Sequence, residues 1–247
     1  MCHCASAYLA QGLNVLYITL EMAEERIAER IDANLLDTTI DDLHALPKDL
    51  YDSKILKVKN KTNGQLIIKE YPTASAHSGH FRALFNELAL KKSFRPDVVF
   101  VDYLNICASA RFKGGNISSY FYIKAIAEEL RGLAVEFNVP IFSATQTTRT
   151  GFVSTDIGLE DTSESFGLPA TADFMFALMS NEELEQLGQM KVKQLKNRYN
   201  DPAINRSFIV GVDRAKMKLY DVETVSYTHL RAHETRGNLV CRLLLEK

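Results

Sequence analysis

Glycine and proline are scarce in this 247-residue chain, at 12 and 6 residues, which excludes collagen-like repeats and a disordered chain. Long apolar runs are missing too. None approaches the ~18 residues that a membrane-spanning helix needs, so no membrane partner is expected. The N-terminus has no basic flank leading into an apolar stretch and does not read as a secretory signal. Cys2, Cys4, Cys107 and Cys241 form no Cys-x-x-Cys pair, which points to reduced thiols and a cytoplasmic setting. Cys2-His3-Cys4 is too tightly spaced for a zinc site, and no second pair follows. Neither Gly-x-Ser-x-Gly nor a Cys/His nucleophile arrangement appears. The formal net charge is only −2, so any nucleic-acid binding has to come from local patches. What is present, 46% hydrophobic and 24% charged residues, suffices for a real core.

β-branched apolar runs alternate with helical patterns. Strands are expected at Asn14–Leu20, Leu66–Tyr71, Asp97–Leu104 and Val139–Thr145, and helices at Met22–Leu36, Ser78–Phe94 and Ser118–Phe137. In the last helix, Ile123, Ile126, Ala127, Leu130, Leu133, Ala134 and Phe137 form one stripe of 3.6-residue period. Val98-Val99-Phe100-Val101 is continuously apolar, as a strand covered on both faces must be. Such alternation predicts an α/β fold with a mostly parallel sheet and right-handed crossovers. After about residue 173 the pattern becomes Asp173–Met179, Lys191–Arg198, Ser207–Val212 and Lys218–Val222, an antiparallel extension at the sheet edge. Ala5–Gln11 begins mid-helix without a preceding strand, and Ser226–Lys247 fits neither period. Both ends thus read as signs of a broken or extended reading frame.

Ligands of open parallel sheets sit beyond the carboxyl ends of the strands. Three predicted strands deliver Glu21, Asp102 and Gln146 to that edge. A pair of acids there suits a Mg²⁺ ligand and a water-activating base, and an amide can sense a phosphate oxygen. Each residue taken singly is also an ordinary turn or helix-entry residue. Between Lys191 and Lys218 lie eight basic and two acidic residues, with Lys196 and Arg198 on one face of a strand. That stripe can hold phosphate or nucleic acid, though taken alone it is better read as a solvated edge strand whose lysines discourage aggregation. Two loops leave the same edge, one with Arg111 and Lys113, the other with Arg149 and Phe152. Cations and an aromatic on such loops suit a single nucleic-acid strand. His77 and His80 read as surface residues of a connection.

Leu20-Glu21-Met22, Val99-Phe100-Val101-Asp102-Tyr103-Leu104, Ser143-Ala144-Thr145-Gln146 and Lys196-Asn197-Arg198 occur in this order, with Gly167-Leu168-Pro169-Ala170-Thr171-Ala172-Asp173 between the last two. Over about residues 2–223 the chain resembles the RecA-type motor domain of DnaB-like hexameric replicative helicases, most of all those of large tailed bacteriophages. The resemblance implies a RecA-like P-loop NTPase core that uses ATP and Mg²⁺. It implies that Glu21 activates the attacking water and that Asp102 holds Mg²⁺, usually through water. Gln146 would report the state of the γ-phosphate to the DNA loops. Arg198 would be the finger that reaches outward to the neighbouring subunit's nucleotide, with Lys196 assisting. Arg111, Lys113 and Arg149 would sit on loops gripping single-stranded DNA. A homo-hexamer, a primase and a helicase loader are the implied protein partners.

One part of that pattern is missing. No Gly-x-x-x-x-Gly-Lys-Ser/Thr phosphate loop occurs, and the first helix resembles the one that follows it. The expectation is therefore a partial motor domain over residues 1–224, lacking its first strand and phosphate loop and inactive as written. Residues 225–247 resemble translated sequencing adapter and form a non-native tail. Two other readings stay open. One is a recombinase or clock-type RecA-like ATPase; the other, should the chain be complete, is a non-catalytic nucleic-acid-binding module.

Overall fold

Four strands with few polar side chains make the central layer. These are β1 (Val15–Thr19), β2 (Leu66–Glu70), β3 (Val98–Asp102) and β4 (Ile141–Ser143), all parallel, in the order β2-β1-β3-β4. The structure is a computed structural model describing residues 1–112, 117–147, 158–159, 167–201 and 204–222. All five β1 residues are buried, as are the first four of β3, because helices cover both faces. Leu16, Ile18, Val99 and Val101 point to one face and meet α5 (Ser78–Lys92) and α6 (Ser119–Phe137). Val15, Tyr17, Val98 and Phe100 point to the other, against α1 (Cys2–Ala10) and α2 (Glu24–Leu36). The α6 stripe is buried as its period requires, through Ile123, Ile126, Ala127, Leu130 and Leu133, and Asn138 in the left-handed conformation ends the helix. No helix among the described residues is long and apolar enough to cross a membrane.

Phe100 lies at the centre of one face. Its ring stacks on Tyr17 at 5.7 Å and on Phe142 at 5.2 Å, and it is fully buried. Phe100→Ala should cost about 3–5 kcal/mol of unfolding free energy in urea titrations. A loss under about 1 kcal/mol would show that this face can collapse around the gap.

The expected strand at Val139–Thr145 shortens to Ile141–Ser143, since Pro140 has no N–H to donate to the ladder. Its carbonyl still accepts from Val99 N. Two further helices, α3 (Ile40–Ala45) and α4 (Lys48–Lys59), follow α2. His77 and His80 do more than sit on the surface: His77 Nδ1 accepts from Gly79 N and His80 Nδ1 accepts from His77 N, which caps α5.

Beyond α7 (Gly167–Thr171) the chain forms β5 (Phe174–Met179), α8 (Glu182–Gln186), β6 (Gln189–Asn197), β7 (Ser207–Asp213) and β8 (Lys218–Asp221). These strands are antiparallel, as expected. They pair with one another in the order β5-β6-β7-β8 as a second sheet, however, and do not lengthen the first. The ladder of β5 goes to β6, and β4 has only three residues to offer at its edge. The β7–β8 hairpin hooks back onto α2 and the start of α3. Asn34 Nδ2 donates to Met217 O at 2.6 Å, Ile40 N donates to Ala215 O, and Lys216 and Lys218 both pair with Asp37. The 225–247 tail lies outside the described residues.

Candidate functional site

The register of the parallel sheet brings the three strand-end residues to one edge. Thr19 at the end of β1 pairs with Asp102 at the end of β3, and Val101 pairs with Ser143 of β4. Glu21, Asp102 and Gln146 therefore leave adjacent strands on the same side, as the sequence predicts. Thr19 builds the Glu21 turn: its hydroxyl donates to Met22 O at 2.8 Å and accepts from Met22 N at 3.1 Å. Leu20 N bonds Asp102 O and Leu20 O accepts from Thr73 Oγ1, so the backbone beside Glu21 is held on both sides. The Glu21 side chain itself is exposed at the tip.

Asp102 is half-buried, and Tyr17 Oη donates to its Oδ2 at 2.6 Å. Burial, with Cys2 and Asp102 nearby, pushes the Tyr17 phenol far above its ordinary value, so it remains a neutral donor. Cys2 Sγ lies 3.9 Å from the same phenol, which places the start of α1 behind Asp102. Gln146 Nε2 donates to Tyr103 Oη at 3.3 Å and is exposed. Among the described residues, the buried Asn105 Oδ1 and Thr145 Oγ1, just past the ends of β3 and β4, have no hydrogen-bond partner. Oxygen donors from carboxylate, amide and hydroxyl are of the kind a Mg²⁺ ion takes, although no group of three or more His, Cys, Asp or Glu side chains that could hold a metal occurs among the described residues.

Lys196 and Arg198 lie elsewhere, at the far end of β6. Arg198 Nη1 donates to Asp173 Oδ1 at 2.6 Å and Nη2 to Ala170 O at 3.1 Å. Arg131 of α6 donates to the same Asp173 oxygen at 2.5 Å and to Thr171 O at 2.8 Å. Lys196 Nζ donates to Pro169 O, and burial, then the Arg198 charge, lowers its pKa. The resemblance directs Arg198 outward. In the single chain it is folded onto its own α7 and Asp173, and the carbonyls of that short helix take up all three cations. Arg111 pairs with Glu128 of α6. Lys113 and Arg149 fall outside the described residues.

Sequence reasoning missed Tyr17, Arg131, Asp173 and Glu129. A tyrosine in an otherwise apolar buried strand has to find a partner for its hydroxyl, and that was the available signal for Tyr17. Asp173 was visible only as the end of the Gly167–Asp173 run.

A parallel sheet with helices on both faces and two carboxylates and an amide at its carboxyl edge is an α/β core of the nucleotide-binding type. The chain belongs to the family of DnaB-like helicase C-terminal domains, which it matches over residues 1–229. It is 44% identical to a DnaB-like replicative helicase of Enterobacteria phage T4 over 241 residues, 96% of this chain and 50% of that protein. A probable plasmid replicative DNA helicase of Chlamydia psittaci is 31% identical over 144 residues, 57% of this chain and 30% of the relative. The chain thus spans half or less of these curated relatives. Two solved structures share its fold. One describes a DnaB-like replicative helicase and its interactions with primase, with TM-score 0.71 and 17% identity, over 90% of this chain and 54% of the other. The second is the ATPase domain of another protein, with TM-score 0.71 and 18% identity, over 89% of this chain and 78% of the other.

Proposed function

We propose that the chain is the ATP-hydrolysing motor domain of a replicative DNA helicase that works as a homo-hexameric ring on single-stranded DNA in the cytoplasm of a host cell. The observation that carries this reading is the convergence of Glu21, Asp102 and Gln146 on three neighbouring strand ends. Glu21, exposed at its turn, takes a proton from the attacking water. Asp102, oriented by Tyr17, holds Mg²⁺, which when bound neutralises charge on the phosphates. Gln146 and Tyr103 relay the state of the γ-phosphate toward the DNA loops. Arg198, with Lys196, serves the nucleotide of the neighbouring subunit. Primase is a proposed protein partner by likeness to the solved helicase described with it, and a helicase loader by the family resemblance. The chain as given carries no phosphate loop, and on this reading the isolated 247-residue protein is inactive.

Single-stranded DNA binding tests the loops. Replacing Arg111, Lys113 and Arg149 together with Ala should weaken binding of a labelled oligothymidine. It should also flatten the slope of log affinity against log salt by about two units, at roughly 0.7 per phosphate contact on a single strand. In a protein extended upstream to carry a phosphate loop, the triple variant should lose DNA-stimulated ATPase more than basal ATPase. Equal loss of both would place these residues at the nucleotide instead.

A further inference from the structure

One acid of α6 is hydrogen-bonded to none of the three strand-end residues and yet accepts five hydrogen bonds. Glu129 Oε1 accepts from Ser109 Oγ at 2.7 Å, Ala110 N at 3.1 Å and Arg111 N at 3.3 Å. Its Oε2 accepts from Ser78 Oγ at 2.8 Å and from Ala110 N at 2.9 Å. Ser109 N donates in turn to Tyr122 Oη on the same helix. The root of the loop that follows β3 is thus fixed to α6 and to the first residue of α5 by a single side chain. Burial works against the Glu129 charge, but the Ser109, Ala110 and Ser78 bonds outweigh it and keep the acid ionised.

The contacts continue toward Glu21. The segment 72–78 runs beside that root: Ala108 N donates to Ala76 O and Ala74 N to Ile106 O. Thr73 Oγ1 donates to Leu20 O, the carbonyl directly before Glu21. A line of hydrogen bonds therefore joins the Glu21 turn to Ala110 and Arg111 without passing through Gln146.

We propose that Glu129 is the positioning residue for the DNA-binding loop after β3, and that it works through the 72–78 segment as a brace between that loop and the Glu21 turn. The inference rests on the reading of this loop as a single-stranded-DNA contact. A carboxylate offers about four acceptor sites and no donor, which matches a ring of hydroxyl and amide donors. A glutamine at 129 would turn an N–H₂ toward the Oε2 partners, so that Ala110 N loses its shorter bond at 2.9 Å and the Ser78 hydroxyl can no longer donate there. The remaining bonds to Ala110 N and Arg111 N would lose their charge assistance.

Amide hydrogen exchange on the full 247-residue chain tests this without DNA. Glu129→Gln should speed exchange at Ala110 and Arg111 by about tenfold or more. Glu136→Gln is the control, because Glu136 also joins α6 to α5, through a bidentate bond with Arg82, but does not touch the loop. Its exchange at Ala110 and Arg111 should match the parent. The same proteins are then titrated with a labelled oligothymidine, where Glu129→Gln should bind about tenfold more weakly and Glu136→Gln equally well. Unchanged exchange in Glu129→Gln, or equal effects of the two variants, would overturn the brace. Faster exchange with unaltered DNA affinity, where the Arg111, Lys113 and Arg149 variant does lose affinity, would overturn it as well. If the parent chain binds no oligothymidine, the DNA reading of the loop fails by itself, and the exchange result still decides whether Glu129 holds the root.

Discussion

Rings in which every subunit carries Arg198→Ala should hydrolyse ATP about 10³–10⁵-fold more slowly than the parent, a loss of about 4–7 kcal/mol of transition-state stabilisation. The measurement needs this motor domain joined to an upstream phosphate loop. Glu21→Gln rings should be comparably silent, because no base is left for the attacking water. The informative experiment mixes the two. Arg198 makes its described contacts with Asp173 and Ala170 and not with Glu21 or Asp102, and the proposed reading assigns the two groups to different interfaces. In mixed rings some interfaces pair an intact Glu21 with an intact Arg198, and steady-state ATPase should partly return. Absence of any recovery in rings shown to be mixed would count against action across the interface. Recovery also requires Arg198 to leave Asp173. Arg131 remains on the same carboxylate oxygen, so that departure strands no unpaired acid.

Titration calorimetry of Mg-ATP into the 247-residue chain should detect no binding tighter than about 1 mM, which is roughly 4 kcal/mol. Backbone amides and the lysine of a phosphate loop supply most charge-assisted contacts to the β- and γ-phosphates. Without them the strand edge presents Glu21 and Asp102 to an anion, and like charges repel. A Mg²⁺ ion held at Asp102 would carry enough charge to offset both carboxylates, but it would still leave the triphosphate without a cradle. Adding an upstream segment with Gly-x-x-x-x-Gly-Lys-Ser/Thr should bring the affinity into the micromolar range. Micromolar binding by the chain as it stands would require a phosphate site on other residues.

The elements legible in the sequence are those whose burial is one-sided or complete. The α6 stripe from Ile123 to Leu133 and the apolar run Val98–Val101 state their environment in their own spacing. α4 buries no residue at all, so its sequence carries no stripe to read. The second sheet was legible as strands, but its separation from the first was not, because pairing partners are not encoded in the period of any one strand. The same division holds at the site. Glu21, Asp102 and Gln146 follow from a rule about strand ends. The Tyr17 bond to Asp102 spans 85 residues and exists only once the parallel register sets β1 beside β3. Glu129 looked like one more charge on a helix, since its donors come from segments 18 to 51 residues away.

β6 gives the chain a mechanical character. Nine residues of extended chain measure about 27 Å, and the strand is fastened near both ends. Close to Gln189 the adjoining β7–β8 hairpin grips α2, the helix that starts three residues after Glu21. At the Asn197 end, Lys196 and Arg198 grip α7. Between these anchorages the strand is ladder-bonded to β7 from Gln189 to Lys193 and to β5 from Lys191 onward, so the two ladders overlap at its middle. In the proposed ring, such a chain would behave as a rocker with one arm on each of the two nucleotide interfaces which that reading assigns to Glu21 and Arg198. A tilt imposed where Glu21 meets its nucleotide would be carried along β6 to Arg198, so that each interface would set the posture of the next.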